Sequence, residues 1–143
     1  MVDSAETFVK YIDEIVWEFG VHGHESGDCC FGMSYADIRA LKEMASECDC
    51  SMQTLAGRLG VTKSGATRVV DRLEKKGLAE RRRSDTDGRV CCVSPTAKGH
   101  GALSEIRKNA MARMDGIVEK IDGPMRQIIL SSLESFLSAV KRS

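Results

Sequence analysis

The sequence predicts a mainly α-helical fold that carries one small β-hairpin. Three observations point there. Only two prolines occur in 143 residues, Pro95 and Pro124, so long stretches are free to be helical. Apolar residues recur every three or four positions over most of the chain. Residues 78–93 depart from that period, with two strand-like runs around a polar, Gly-containing turn.

Phe8, Ile12, Ile15 and Phe19 place an amphipathic helix over about Ala5 to Phe19, which Gly20 stops. Val21 to Cys30 is polar and reads as a loop. Ser34 with Asp37 forms a capping-box pattern. It opens a helix to about Glu47 with Ile38, Leu41 and Met44 or Ala45 inward. Cys48-Asp49-Cys50 follows as a turn or short strand. Ser51 caps a short helix, Met52 to Leu59, ended by Gly60. Thr62 caps the next helix, which runs to about Lys76 and is ended by Gly77. Leu78–Arg83 and Arg89–Val93 are the strands. Thr96 caps a long helix whose Leu103, Ile106, Ala110, Met114, Ile117 and Ile121 form a coiled-coil-like seam. Asp122-Gly123-Pro124 breaks it and starts a last helix with Met125, Ile129, Leu133, Phe136 and Val140 as its stripe.

Residues 54–73 carry the strongest signal. A short helix, a Gly-containing turn and a second helix follow in helix-turn-helix order. Leu55, Ala56 and Leu59 pack the first helix. Gly60 permits a left-handed turn, Val61 plugs the corner, and Val69, Val70 and Leu73 seat the second helix. That leaves Thr62, Lys63, Ser64, Thr67, Arg68 and Arg72 outward. Hydroxyls and cations on an acid-free N-terminal turn suit a major groove and its phosphates. Arg81, Arg82 and Arg83 enter the hairpin turn and Arg89 leaves it. A hairpin placed there is a wing, and an arginine near its tip suits a minor groove. The fold class is therefore a winged helix-turn-helix, mainly α with a small β-wing, flanked by amphipathic N- and C-terminal helices.

Charge agrees. The formal net charge is zero, yet residues 1–52 carry −8 and residues 53–83 carry +6. A basic segment on a neutral chain is an electrostatic footprint for phosphates, although the same charges also serve a solvated face. No basic n-region precedes an apolar run at the N-terminus, and no stretch approaches the ~18 apolar residues of a membrane span. The expected location is the cytoplasm.

Leu55-Ala56, Leu59-Gly60-Val61, Val70 through Leu78, Arg83 through Arg89 and Thr96-Ala97-Lys98-Gly99 together resemble the MarR (multiple antibiotic resistance regulator) family. The likeness is dense from about Ser34 to Gly99 and looser over the rest. It implies a homodimer intertwined through N- and C-terminal dimerisation helices, the first and the last two, and it divides the chain into residues 1–32, 33–99 and 100–143. It also implies double-stranded DNA with a pseudo-palindromic operator as the partner, and regulation, usually repression, as the role. By resemblance Arg89 is the minor-groove residue and Asp87 orients the wing, with Arg83 beside them. Two departures stand out. Pro95 replaces a usual Leu, and Cys91 and Cys92 replace aliphatic strand residues.

Six cysteines form three close pairs, Cys29-Cys30, Cys48-x-Cys50 and Cys91-Cys92. In a reducing compartment such thiols point to redox sensing or to a metal, metalloid or iron–sulfur ligand set. His22 and His24 lie near Cys29 and Cys30. The strand before the helix-turn-helix is expected to pair with the outgoing wing strand, bringing Cys50 near Cys91 or Cys92. Alternation lets only one of those two face a shared site. The plain alternative is that these cysteines are small buried hydrophobes. Three functions follow. One is a regulator governed by thiols, through a metal, metalloid or oxidant. Another is a regulator governed by a small organic ligand between its lobes. The third is a thiol redox or metal-trafficking protein. There is no Cys-x-x-Cys on a strand–helix unit, no phosphate-binding glycine loop and no nucleophile–base pair. The chain is therefore not expected to be an enzyme.

Overall fold

The computed structural model describes residues 4–19 and 32–142. Six helices and three strands follow in the order α1 (Ser4–Phe19), α2 (Tyr35–Ala45), β1 (Cys50–Ser51), α3 (Met52–Leu59), α4 (Lys63–Lys75), β2 (Ala79–Arg83), β3 (Cys91–Pro95), α5 (Ala97–Val118) and α6 (Gly123–Arg142). Two compact units divide after Ile106. No helix among the described residues is long and apolar enough to cross a membrane.

In the first unit, side-chain caps set the helix starts. The Asp37 N–H donates to Ser34 Oγ and the Ser34 N–H to Asp37 Oδ2, both at 3.2 Å, closing the capping box of α2. Ser51 and Thr62 accept from the Thr54 and Gly65 N–H groups to start α3 and α4. Gly60 and Gly77 take positive φ, 65° and 70°, where α3 and α4 must turn sharply.

The sheet is antiparallel with β3 central, in the order β1-β3-β2. Its inner face and helices α2, α3 and α4 enclose the core. Leu41, Met44, Leu55, Val70, Leu73, Leu78 and Val93 are fully buried there. Met44, not Ala45, is the inward residue at the end of α2. The outgoing strand runs two residues later than the sequence reading, because residues 87–90 belong to the turn. The Val90 N–H donates to the Asp87 carbonyl and the Ser84 N–H to the Val90 carbonyl. Pro95 pairs with Ala79 at the strand's end, where the missing N–H costs least.

The long helix enters the same core through Ala102 and Ile106, with Leu103 packed against it. Beyond that point its expected seam is uncovered, Met111 and Met114 being about half exposed. Ile121 lies past the end of α5. The second unit contains α6, which buries none of its residues within one chain. Ile128, Leu130, Leu133, Leu137 and Val140 are exposed. On α1, Phe8, Val9, Ile15 and Val16 are likewise exposed.

Candidate nucleic-acid interface

The N-terminal turn of α4 is built by Thr62. Its Oγ1 accepts from the Gly65 N–H at 3.1 Å and lies 3.1 Å from Ser64 Oγ. Thr67 Oγ1 donates to the Lys63 carbonyl at 2.9 Å. Lys63, Ser64 and Arg68 are exposed and Thr67 is half-buried. Ala66, Val69, Val70 and Leu73 hold the opposite side of the helix in the core. Val61 does not plug the corner. It is 44% exposed and lies over Gly65.

The basic segment is less available than its charge suggests, because most of its cations are already paired. Arg58 bonds Glu43 and Glu47. Arg72 bonds the buried Asp37 at 2.6 Å. Lys76 donates to the Gly32 carbonyl. Arg81 bonds Asp71 and Glu74, and its hydrogen bond to Asp71 pushes its pKa up further. Arg82 bonds the Cys48 carbonyl and Asp85. Arg83 Nη1 donates to the Gly88 carbonyl at 2.7 Å, bracing the wing turn rather than projecting from it. Of the cations between Lys63 and Arg89, the side chains of Lys63, Arg68, Lys75 and Arg89 have no such partner. Lys75 lies in the last turn of α4, so Lys63 and Arg68 near its start and Arg89 on the wing remain for an external anion there.

The wing is held by groups whose roles were not apparent from sequence. Asp49 Oδ2 accepts from Ser84 Oγ at 2.9 Å, and Asp49 Oδ1 lies 3.4 Å from Arg82 Nη2. Ser84 Oγ, in a residue buried at the base of the turn, accepts from the Thr86 and Asp87 N–H groups. Asp87 Oδ1 accepts from the Arg89 N–H at 3.0 Å, fixing the backbone that carries Arg89. A cleft of about 490 Å³ opens beside this turn, lined by Arg81, Arg82, Arg83, Arg89, Val90 and Cys91.

The register separates the cysteines. Cys50 faces Val93, and Cys92 faces Ser51. Alternation then puts Cys50 on the core side and Cys92 on the other, across from Arg82. Both are buried, while Cys48 and Cys91 are exposed. Burial pushes the Cys50 thiol up, with Glu47 adding to it. Among the described residues no group of three or more His, Cys, Asp or Glu is assembled to hold a metal ion. His22, His24, Cys29 and Cys30 lie outside the described residues.

A labelling prediction follows. In native protein treated with iodoacetamide, peptide-resolved mass spectrometry should find Cys48 and Cys91 modified first. Cys50 and Cys92 should react only after denaturation. Native modification of Cys50 as fast as that of Cys48 would contradict this placement.

Comparison with known proteins places this geometry. A model described as MarR family matches residues 31–90. The transcriptional repressor MprA of Escherichia coli K12 is 39% identical over 77 residues, 52% of this chain and 44% of MprA. The chain thus matches less than half the length of that relative. A Thauera aromatica protein assigned as a transcriptional regulatory protein for the hcr operon is 30% identical over 135 residues, 80% of this chain and 81% of that protein. Among solved structures, Streptococcus pneumoniae FabT in complex with DNA superposes with a TM-score of 0.73 at 19% identity, covering 99% of this chain and 96% of FabT. That likeness speaks for the fold.

Proposed function

The chain belongs to the MarR family, and from that premise we propose that it is a cytoplasmic, homodimeric transcriptional repressor that binds double-stranded DNA. The observation that carries the reading is the sorting of cations. Lys63 and Arg68 on α4 and Arg89 at the wing are exposed and unpaired, while Arg58, Arg72, Arg81 and Arg82 are paired with carboxylates within the chain. In this reading α4 enters the major groove with Thr62, Lys63, Ser64, Thr67 and Arg68 at its leading end. Arg89 enters the adjacent minor groove.

Dimerisation supplies a cover for the apolar residues that α1, α5 and α6 leave exposed, since patches of this kind mark interfaces. Two recognition helices roughly 34–36 Å apart then require a pseudo-palindromic site. With Lys63, Arg68 and Arg89 of each protomer at the duplex, about six cations per dimer displace its counterions. Affinity for duplex DNA is expected to fall about 10³-fold between about 50 and 200 mM salt. Titrations across that range test it, and a flat dependence would sink the interface.

The finer part of the reading is control by thiols. Cys91 is exposed and lines the same cleft as Arg89. Hydrogen peroxide would oxidise its thiol to a sulfenic acid, releasing water, and would place an added oxygen beside Arg89. Peroxide should then weaken DNA binding by wild type but not by Cys91→Ser. If Cys29→Ser/Cys30→Ser abolishes the response instead, the signal is read at those two cysteines. A response unchanged in both variants would remove thiol control through these residues.

A further inference from the structure

We propose that Arg72 is a positioning residue that acts through Asp37 to set how the recognition helix is presented, rather than a DNA contact. This rests on the DNA-binding reading above. Arg72 follows Arg68 by one helical turn, so spacing alone puts it on the same exposed side of α4.

Its guanidinium nevertheless turns back toward α2. Nε and Nη2 both donate to Asp37 Oδ1, at 3.2 and 2.6 Å. Asp37 is 2% exposed, whereas the Arg72 side chain is 47% exposed. The other carboxylate oxygen, Oδ2, is occupied by the Ser34 N–H in the capping box. One buried carboxylate therefore both starts α2 and anchors the third turn of α4. A buried carboxylate that loses its cation is strongly unfavourable, so the pair resists being opened in favour of a phosphate.

A second tie supports the same function. Lys76, one helical turn beyond Arg72, donates to the Gly32 carbonyl just before α2. The C-terminal half of α4 is thus fixed at two points to the start of α2. The free N-terminal half, carrying Lys63 and Arg68, is aimed by those ties. A small rotation of α4 would misplace Arg68 against a base edge. It would leave general attraction to phosphates intact, because that attraction has no comparable geometric demand.

The test uses Arg72→Ala, the milder Arg72→Lys, Asp37→Asn, and the Asp37→Asn/Arg72→Ala double variant. Each is titrated against a specific duplex obtained by selection from random DNA, and against a scrambled duplex, at several salt concentrations. All measurements are made well below the melting temperature. Arg72→Ala and Asp37→Asn are each expected to lose about 10-fold or more in specific affinity, and the double variant no more than the worse single. Arg72→Lys, which keeps a cation but loses the forked geometry, should recover only part. Scrambled-duplex affinity and the salt slope should stay at wild-type values.

Three results would overturn the proposal. One is a salt slope shallower by about 1.8 per dimer in Arg72→Ala, with Asp37→Asn binding as tightly as wild type or tighter, which makes Arg72 a phosphate contact. Another is equal loss on both duplexes in proportion to the unfolded fraction, which makes the pair merely structural. The third is additive thermal shifts in the double variant, which denies the coupling without reference to DNA. Failure of wild type to bind any duplex would instead refute the DNA-binding reading, and the thermal cycle would still judge the clamp.

Discussion

Gly99→Ala is expected to destabilise the protein by about 3 kcal/mol, toward the upper end for overpacking a tight site. A Cβ at Gly99 would lie 2.0 Å from the Leu78 carbonyl oxygen, 3.1 Å from its carbon and 3.2 Å from Pro95 Cβ. These are mostly backbone atoms at a crossing that is already tied down. The Thr96 N–H donates to the same Leu78 oxygen at 3.0 Å. Thr96 Oγ1 donates to the Gly77 carbonyl at 2.6 Å and accepts from the Gly99 N–H at 3.1 Å. Making room therefore means moving α5 away from the start of β2, and the two hydrogen bonds from Thr96 to the Gly77 and Leu78 carbonyls oppose that. Alanine's better helix propensity offsets only about 1 kcal/mol. Circular dichroism melts at fixed protomer concentration should show a fall on the order of 10 °C. Gly101→Ala is the control. Gly101 is exposed on the same helix and a Cβ there meets nothing within 4 Å, so its melting point should hold or rise slightly. Equal melting points for the two variants would show that the close crossing is absent.

The second large effect concerns function without stability. Arg68→Ala and Arg89→Ala are each expected to weaken DNA binding about 100-fold, from a loss of roughly 1–3 kcal/mol per contact, each contact occurring twice in a dimer. Neither guanidinium has a partner within the chain among the described residues. The melting point should therefore stay within about the range of an ordinary surface substitution, ±0.5 kcal/mol. Arg81→Ala should behave oppositely. It breaks the pairs with Asp71 and Glu74 that join β2 to α4, so stability falls while the free cations remain. If Arg68→Ala and Arg89→Ala both bind as wild type does, the cations chosen by the fold are not the ones that touch DNA.

Local chemistry was the part of the fold most legible in the sequence. Ser34, Ser51 and Thr62 announced their helices because a hydroxyl before a periodic apolar run has few other uses. Gly60 and Gly77 announced the ends for a similar reason. The wing's turn was legible, but its outgoing strand was displaced by two residues. The hydrogen bonds of Asp87 and Val90 extend the turn through residues that look strand-like in isolation.

The site was legible as a segment and not as a set of atoms. Composition shows a basic stretch, but cannot show which arginines a carboxylate 10 or 35 residues away has taken. Arg72 and Arg83 look as available as Arg68 until Asp37 and the Gly88 carbonyl are placed beside them. Asp49 carries no pattern of its own, yet it anchors the wing through Ser84. For the cysteines, strand pairing was legible and register was not. A single-residue offset decides that Cys50 meets Val93, and that Cys92 turns to the far side of the sheet.

The most direct test of DNA recognition by a dimer is selection of duplexes from a random-sequence pool by the purified wild-type protein, followed by sequencing. The expected result is one enriched motif with two inverted half-sites, centred about 10 base pairs apart, as two recognition helices on one face of the duplex require. Recovery of an unenriched pool, or of a motif with no inverted symmetry, would contradict it.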